Sequence, residues 1–175
     1  VHGMTINATV FANYGIQLAG VRNLDLGGGV LPNTVDGVRT GLRAVGNLTG
    51  TTVRSNEFSN GIYGVYLSNS EGLNVTQANR IIDNDYFGLY TTGALTGTTV
   101  SNMSIVTTSG SPTPYAIYMN NASNLTLGGA TVLDSISVQN ASTAFYARGN
   151  NAGSTIAELN ADNTSVGIRL ASATN

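Results

Sequence analysis

Short runs of alternating apolar and polar residues cover the whole chain, and clusters of Gly, Asn and Ser separate them. No window predicts an amphipathic helix, because Gly or Asn interrupts every stretch before three helical turns could form. β-Branched residues dominate the runs, which is typical of strands. The pattern therefore predicts an all-β protein built from many short strands with turns at regular intervals.

A four-residue motif recurs along the chain, in the order small, apolar, variable, apolar. It reads GIQL at 15–18, GLRA at 41–44, GVYL at 64–67, GLYT at 88–91, AIYM at 116–119, AFYA at 144–147 and GIRL at 167–170. A second pattern follows each of the first six copies, and in most of them it reads L-x-L, L-x-V or T-x-V. The seven copies of the motif have a mean spacing of about 25 residues, which indicates a stacked-repeat architecture.

The repeat length selects one architecture. Helical repeats are excluded because no helix is predicted, and propeller blades need longer units. We therefore predict a single domain over residues 1–175, a right-handed parallel β-helix (β-solenoid) of about seven coils. The segment GTTV occurs at 50–53 and 97–100, in alternate coils, which predicts a doubled period. We expect its second and fourth side chains, at Thr51 and Val53 and at Thr98 and Val100, to point into the core.

Strand alternation assigns a face to each motif position. The second position (+1) is a large apolar residue in all seven copies, so we expect it to point inward. Alternation predicts that the residue preceding the motif (−1), which includes Tyr63, Phe87 and Tyr115, also points inward. The first position (0) is Gly or Ala throughout, and we expect it to form a shallow strip on the outside.

The stretch at 53–75, VRSNEFSNGIYGVYLSNSEGLNV, resembles repeats of the right-handed parallel β-helix superfamily. That superfamily includes pectate lyases, polygalacturonases, phage tailspikes, autotransporter passengers and large adhesins. The resemblance covers essentially the whole chain. It implies the fold and leaves the function open, because these proteins include both enzymes and inert stalks.

An outward row of tyrosines is the main candidate binding site. The third motif position (+2) holds Tyr66, Tyr90, Tyr118 and Tyr146 in four successive coils, with Arg43 and Arg169 flanking them. Side chains at one position of successive coils stack about 4.8 Å apart. Such a ladder would suit a glycan or a partner segment, with the arginines donating to carboxylates or stacking on rings. The alternative is that the ladder only stabilises neighbouring coils.

Four asparagines occupy the position four residues before the motif. These are Asn60, Asn84, Asn140 and Asn163. Asn satisfies unpaired backbone groups in turns and tolerates a left-handed φ. We therefore predict a structural asparagine ladder along one corner of the solenoid.

Composition argues against several functions. The net charge is −2, charged residues make up 9% of the chain, and all seven basic residues are Arg, so we expect no nucleic-acid partner. No apolar run approaches the about 18 residues of a membrane span, and we expect no membrane insertion. The chain has no Cys and a single His, His2. We predict no metal site and no cofactor.

Catalytic chemistry also lacks a candidate. The densest acidic cluster, Asp83-Asn84-Asp85, reads as a solvated turn, because no second carboxylate is placed for a paired-carboxylate site. The segments typical of polygalacturonases are missing. The sequence therefore predicts a non-catalytic extracellular or cell-surface solenoid, as an adhesin or passenger module or a stacking filament subunit. The alternatives are a carbohydrate-binding module using the tyrosine ladder and a polysaccharide lyase or hydrolase.

The two ends raise a question about partners. The chain opens with GMTI, which matches GTTV, and closes with GIRLASATN, so it starts and ends in mid-coil without a recognisable cap. An uncapped coil exposes unpaired backbone groups and apolar side chains. We expect either self-association through the coil ends or continuation as a longer solenoid.

Overall fold

Parallel strands wind the chain into a β-solenoid of about seven turns with a period of about 24 residues. The protein is seen here as a computed structural model that describes residues 1–8 and 12–174. Strands account for 64% of the residues, and the described strands all pair in parallel. The predicted all-β class and the stacked-coil architecture are confirmed. No helix among the described residues is long and apolar enough to cross a membrane.

The described strands form two sheets, and each turn begins with a strand of the first sheet. Sheet A runs in the order β1 (Thr5–Asn7), β4 (Asn33–Asp36), β7 (Asn56–Ser59), β10 (Asn79–Ile82), β12 (Met103–Val106), β14 (Ile136–Gln139) and β17 (Leu159–Asp162). The long strands of sheet B are β2 (Tyr14–Ala19), β5 (Thr40–Asn47), β8 (Tyr63–Glu71), β11 (Phe87–Val100), β13 (Thr113–Leu127), β15 (Ala141–Asn150) and β18 (Val166–Thr174). Its shorter strands are β3 (Asp25–Gly27), β6 (Thr52–Arg54), β9 (Asn74–Thr76) and β16 (Thr155–Ile156), and a 3₁₀ turn spans Val132–Asp134.

The motif columns stack in the predicted register. The +1 column joins Ile16, Leu42, Val65, Leu89, Ile117, Phe145 and Ile168 through successive parallel pairs. Its first six members are buried, so the inward assignment of this position is confirmed. These residues pack against the apolar side chains of sheet A, including Val35, Phe58 and Ile81, in one continuous core.

At motif positions 0 and −1, the side chains point to the opposite faces from those that strand alternation predicted. A Cβ on Gly64 would lie 2.5 Å from Cγ2 of Ile81, and Ala116 is fully buried, so position 0 faces the core. The preceding aromatic side chains lie on the outside instead, where the ring of Tyr63 contacts the outward ring of Tyr66. The predicted strip of small residues on the surface was therefore wrong. Alternation holds along a straight strand, and here the chain bends round a corner of the solenoid.

A second corner confirms the doubled period. Odd-numbered turns carry one extra residue here, such as Asn69 and Asn121, and the strand register shifts at each of them. Even-numbered turns carry Gly93 and Gly149 at this corner, where an added Cβ would lie 2.2 Å from the Oδ1 atom of the asparagine in the turn before. Glycine is needed at these sites because φ is positive and the asparagine amide occupies the space.

The GTTV segments belong to the even-numbered turns. Thr51, Val53, Thr98 and Val100 are all fully buried, as predicted. The hydroxyl of Thr51 donates to the Val21 carbonyl (2.8 Å), and that of Thr98 donates to the Ser70 carbonyl (2.9 Å). Each hydroxyl thus links its turn to the previous one without leaving a buried donor unpaired.

Candidate functional site

The four tyrosines of the +2 column form a stacked row on the outer surface of sheet B. Their ring centroids are 5.1 Å apart for Tyr66–Tyr90, 5.3 Å for Tyr90–Tyr118 and 4.9 Å for Tyr118–Tyr146. The first two pairs are nearly parallel, with interplanar angles of 5° and 7°. All four side chains are half-buried, so one side of the row remains open to solvent.

A second aromatic row lies beside the first. Tyr63, Phe87 and Tyr115 stack with centroid separations of 5.1 Å and 5.7 Å. Their rings meet the first row edge to face, for example Phe87 with Tyr90 at 5.1 Å and an interplanar angle of 72°. We call the two rows together the aromatic face. Edge-to-face and stacked contacts in this distance range are the favourable geometries for aromatic pairs.

The two predicted arginines flank the first row. The guanidinium carbon of Arg43 lies 5.4 Å from the centroid of the Tyr14 ring, and that of Arg169 lies 5.5 Å from the centroid of Tyr146. Both distances fall within the range of cation–π contacts. Arg43 pairs with Tyr66 and Arg169 with Tyr146 in the strand register, so each arginine is the neighbour of an end tyrosine.

A cleft opens where Arg43 meets the aromatic face. It has a volume of about 360 Å³ and is lined by Asn13, Tyr14, Arg39, Thr40, Arg43, Tyr63 and Tyr66. Burial raises the pKa of the Tyr63 phenol, the neighbouring phenols Tyr90 and Tyr66 raise it further, and Arg39 acts in the opposite direction. The phenol is therefore neutral and can donate a hydrogen bond near neutral pH.

Sequence reasoning missed part of this cleft. Tyr63 was visible at position −1 but was assigned to the core, because alternation was extended through a corner. Arg39 lies just before the motif in the connection between β4 and β5, where no repeating column drew attention to it. The signal that could have identified Arg39 is its place in the sequence, one residue before the −1 column that holds Tyr63 in the next turn.

The predicted asparagine ladder is not continuous. Asn140 and Asn163 occupy neighbouring turns, and the Asn163 amide donates to Oδ1 of Asn140 (2.7 Å). Asn60 adopts the same left-handed φ at this corner, and its own backbone amide donates to the carbonyl of Ile82 (3.2 Å). The residue that follows Ile82 is Asp83, which takes the ladder position in the next turn, while Asn84 lies one residue further on and is buried. The connection to the motif is one residue longer in that turn, so counting back from the motif selected the wrong residue.

A different asparagine ladder is buried in sheet A. Asn33, Asn56 and Asn79 are at most 1% exposed. The amide of Asn33 donates to Oδ1 of Asn56 (2.8 Å), and that of Asn56 donates to Oδ1 of Asn79 (3.1 Å). Their equal spacing of 23 residues is visible in the sequence and was the signal that the motif-based count overlooked.

Several acidic side chains, among them Asp25, Glu57 and Asp83, are engaged in links between turns. Asp25 pairs with Arg54, and Glu57 pairs with Arg80 at 2.9 Å. Burial acts to raise the pKa of Asp83, but hydrogen bonds from the side chain and amide of Thr108 and the amide of Ser109 outweigh it and leave that pKa below its ordinary value. Within residues 1–8 and 12–174, no three His, Cys, Asp or Glu side chains are grouped as metal ligands.

The parallel sheets, the stacked columns and the seven turns define a right-handed parallel β-helix of the pectate-lyase-like kind. The chain belongs to the NosD family, since the family model described as "Periplasmic copper-binding protein (NosD)" matches residues 2–175. No curated protein and no solved structure gives a significant match.

The residues of this chain do not fit the copper site that the family description implies. Proteins hold copper through thiolate, thioether and imidazole ligands. The chain has no Cys, and its one imidazole, that of His2, lies against Gly29. Of its three thioethers, those of Met103 and Met119 are buried in the core at 2% and 1% exposure, and Met4 is partly buried against the core. The one imidazole therefore has neither a thiolate nor a second imidazole to complete a copper site.

Proposed function

We propose that this chain is a non-catalytic, exported β-solenoid module whose aromatic face binds a carbohydrate chain. The observation that carries the proposal is the double row of half-buried rings along one face of a rigid support. Sugar rings present flat apolar surfaces that stack on aromatic side chains, and phenol groups add hydrogen bonds at the edge. The periplasmic description of the family supports an exported location.

The length of the row suits an extended ligand. Four tyrosines in successive turns offer repeated contacts along the solenoid axis, so several sugar units can bind at once. Because the strands fix the ring positions, little side-chain freedom is lost on binding. The engaged carboxylates described above support a binding role over a lyase or hydrolase role.

The test removes the centre of the row. We expect the Tyr90→Ala/Tyr118→Ala variant to bind its best glycan at least about tenfold more weakly than the unmodified chain, in calorimetry against glycans selected on an array. The Tyr90→Leu/Tyr118→Leu variant preserves apolar packing between turns, and thermal melting of both variants separates lost binding from lost stability. Unchanged glycan affinity in the alanine variant would show that the rows serve only to stabilise the turns.

A second proposal concerns the seventh turn. Ile168 and Leu170 are 62% and 65% exposed, although the members of their columns in the second to sixth turns are buried. We propose that the first turn of a second copy covers them, since β2 lies at the opposite edge of sheet B from β18 and can add to it as a further parallel strand. Sedimentation velocity over a range of concentrations should show association that Leu170→Lys abolishes. A chain that remains monomeric at its highest soluble concentration would overturn this proposal.

A further inference from the structure

The cleft at the Arg43 end of the aromatic face has an unusual charge balance. Arg39 and Arg43 both line it, and none of the seven lining residues is acidic. Elsewhere, Arg54 and Arg80 each pair with a carboxylate of a neighbouring turn. Among the described residues, Arg39 and Arg43 form no such ion pair. Two guanidinium groups therefore share one cleft without a counter-charge among its lining residues.

The two arginines are held in place from different sides. Arg43 projects from β5 and lies over the Tyr14 ring, which restricts its orientation. The backbone of Arg39 is fixed by three hydrogen bonds, because its carbonyl accepts from the amides of Ile62 and Tyr63 (both 3.0 Å) and its amide donates to Ala12 (2.8 Å). The Arg43 guanidinium is thus positioned before binding and loses less entropy when a ligand arrives, and the Arg39 side chain extends from a fixed backbone.

The rings in the cleft provide a surface beside the charges. Tyr63 and Tyr66 meet edge to face with their centroids 5.6 Å apart, and Tyr66 begins the stacked row. A group bound between the arginines thus lies next to the first ring of the row. The cleft volume falls in the range of small-molecule sites, about 300–1,000 Å³.

From this arrangement we propose that the cleft binds the anionic group of an acidic sugar, a carboxylate or a sulfate ester, at one end of a glycan that continues along the tyrosine row. Guanidinium groups can donate two parallel hydrogen bonds to a pair of oxygens on either anion. The neutral Tyr63 phenol and the Asn13 amide supply further polar contacts at the rim. The proposal rests on the proposed carbohydrate-binding function. It specifies that the glycan is anionic and that its anionic end lies at the Arg43 end of the aromatic face.

Matched oligosaccharides test the inference. The probes are cellohexaose, the β-1,4-linked glucuronate hexamer and 6-O-sulfated cellohexaose, which differ mainly in the group at carbon 6. We expect one or both anionic hexamers to bind at least about tenfold more tightly than cellohexaose at low salt, with the difference shrinking as salt is added. The glucuronate and sulfate arms distinguish which anion the arginines accept.

Matched variants complete the test. Arg39→Gln and Arg43→Gln should each reduce the affinity for the preferred anionic hexamer about fivefold or more, and the affinity for cellohexaose by a smaller factor. Arg22→Gln, an exposed arginine outside the cleft, provides the same charge change as a control, and melting curves report folding.

The outcomes separate the two levels of the proposal. Equal binding of neutral and anionic hexamers, lost only with the tyrosine variants, would overturn the acidic-sugar inference and keep the proposed function. An effect of Arg22→Gln as large as that of Arg43→Gln would also overturn the inference, since it would reflect net charge alone. Absence of binding by every hexamer would overturn the acidic-sugar inference, and absence of binding by every glycan on the array as well would overturn both.

Discussion

One column of sheet A is built in two different ways along the solenoid. In the second to fourth turns it holds Asn33, Asn56 and Asn79, which pass hydrogen bonds from turn to turn. In the fifth to seventh turns the same column holds Met103, Ile136 and Leu159. Both solutions fill the space, but an amide fits only where the next turn or a nearby carbonyl offers its partners. The difference shows that a buried asparagine in this solenoid needs a hydrogen-bonding neighbour in the adjacent turn, so such residues occur in consecutive turns.

The largest expected effect comes from placing an amide in the apolar half. Ile136→Asn puts an unpartnered amide between Met103 and Leu159, and we expect it to lower the free energy of unfolding by about 4 kcal/mol. Urea denaturation measures the change. Met103→Asn is the matched variant, because position 103 pairs with Asn79 in the neighbouring strand, where a new amide would extend the ladder. A smaller loss in Ile136→Asn than in Met103→Asn would contradict the requirement for such a neighbour.

Removing the central amide should have the next largest effect. Asn56 donates to the carbonyls of Leu26 (3.1 Å) and Arg54 (2.9 Å) as well as to Asn79. Asn56→Ala removes these bonds and the one that Asn56 accepts from the Asn33 amide in a buried site, at a cost of about 3 kcal/mol. Asn160→Ala in β17 removes an exposed asparagine of the same sheet as the control. Similar losses in the two variants, by urea denaturation, would argue against the ladder's contribution.

Two buried threonines allow the same comparison, between a buried polar group with a hydrogen-bond partner and one without, at single hydroxyl groups. Thr98 donates to Ser70, whereas the Thr91 hydroxyl is buried without a hydrogen-bond partner among the described residues. We expect Thr98→Val to destabilise the protein by about 1 kcal/mol and Thr91→Val to stabilise it by a similar amount. Thermal melting of both variants checks the opposite signs, and a shared sign would refute the distinction.

The smallest effect concerns the acidic member of the corner column. The pKa of Asp83 is lowered in the folded protein, because the hydrogen bonds from Thr108 and Ser109 outweigh its partial burial. A lowered pKa stabilises the fold above the ordinary value of 3.8, and this stabilisation is lost as the pH falls through the folded-state pKa.

Thermal melting from about pH 7 to about pH 2 tests this sign. The unmodified chain should be more stable than Asp83→Asn near neutral pH by less than about 1 kcal/mol, since the site is largely exposed. The difference should shrink below pH 3.8. A gap that widens with acid would reverse the sign and contradict the assignment. Asp162→Asn, at an exposed acid in β17, is the control.

The fold was predictable because the motif recurs in every turn, and equivalent motif positions pair in the strand register. The residues from Ile16 to Ile168 form one column as expected, and the GTTV side chains are buried as expected. Corners were less predictable, since their geometry depends on bends that strand alternation does not describe. Tyr63 and Gly64 exchanged faces for this reason.

The candidate site was partly predictable for the same reason. The row from Tyr66 to Tyr146 lies on a straight part of sheet B, where alternation assigns faces reliably. The cleft needs Tyr63 from the corner and Arg39 from a connection that precedes the strand. Neither position is fixed by the repeat, and only the folded arrangement brings them together.

The alternation between extra asparagines and glycines at the second corner gives the solenoid a parity. The third and fifth turns each insert an asparagine whose amide the glycine of the next turn must accommodate. Deleting a single turn would set two like corners side by side, with two amides competing for one space or two glycines leaving it empty. Deleting an adjacent pair would restore the sequence of corners. We therefore expect the natural increment of length in this molecule to be two turns, in both divergence and engineering.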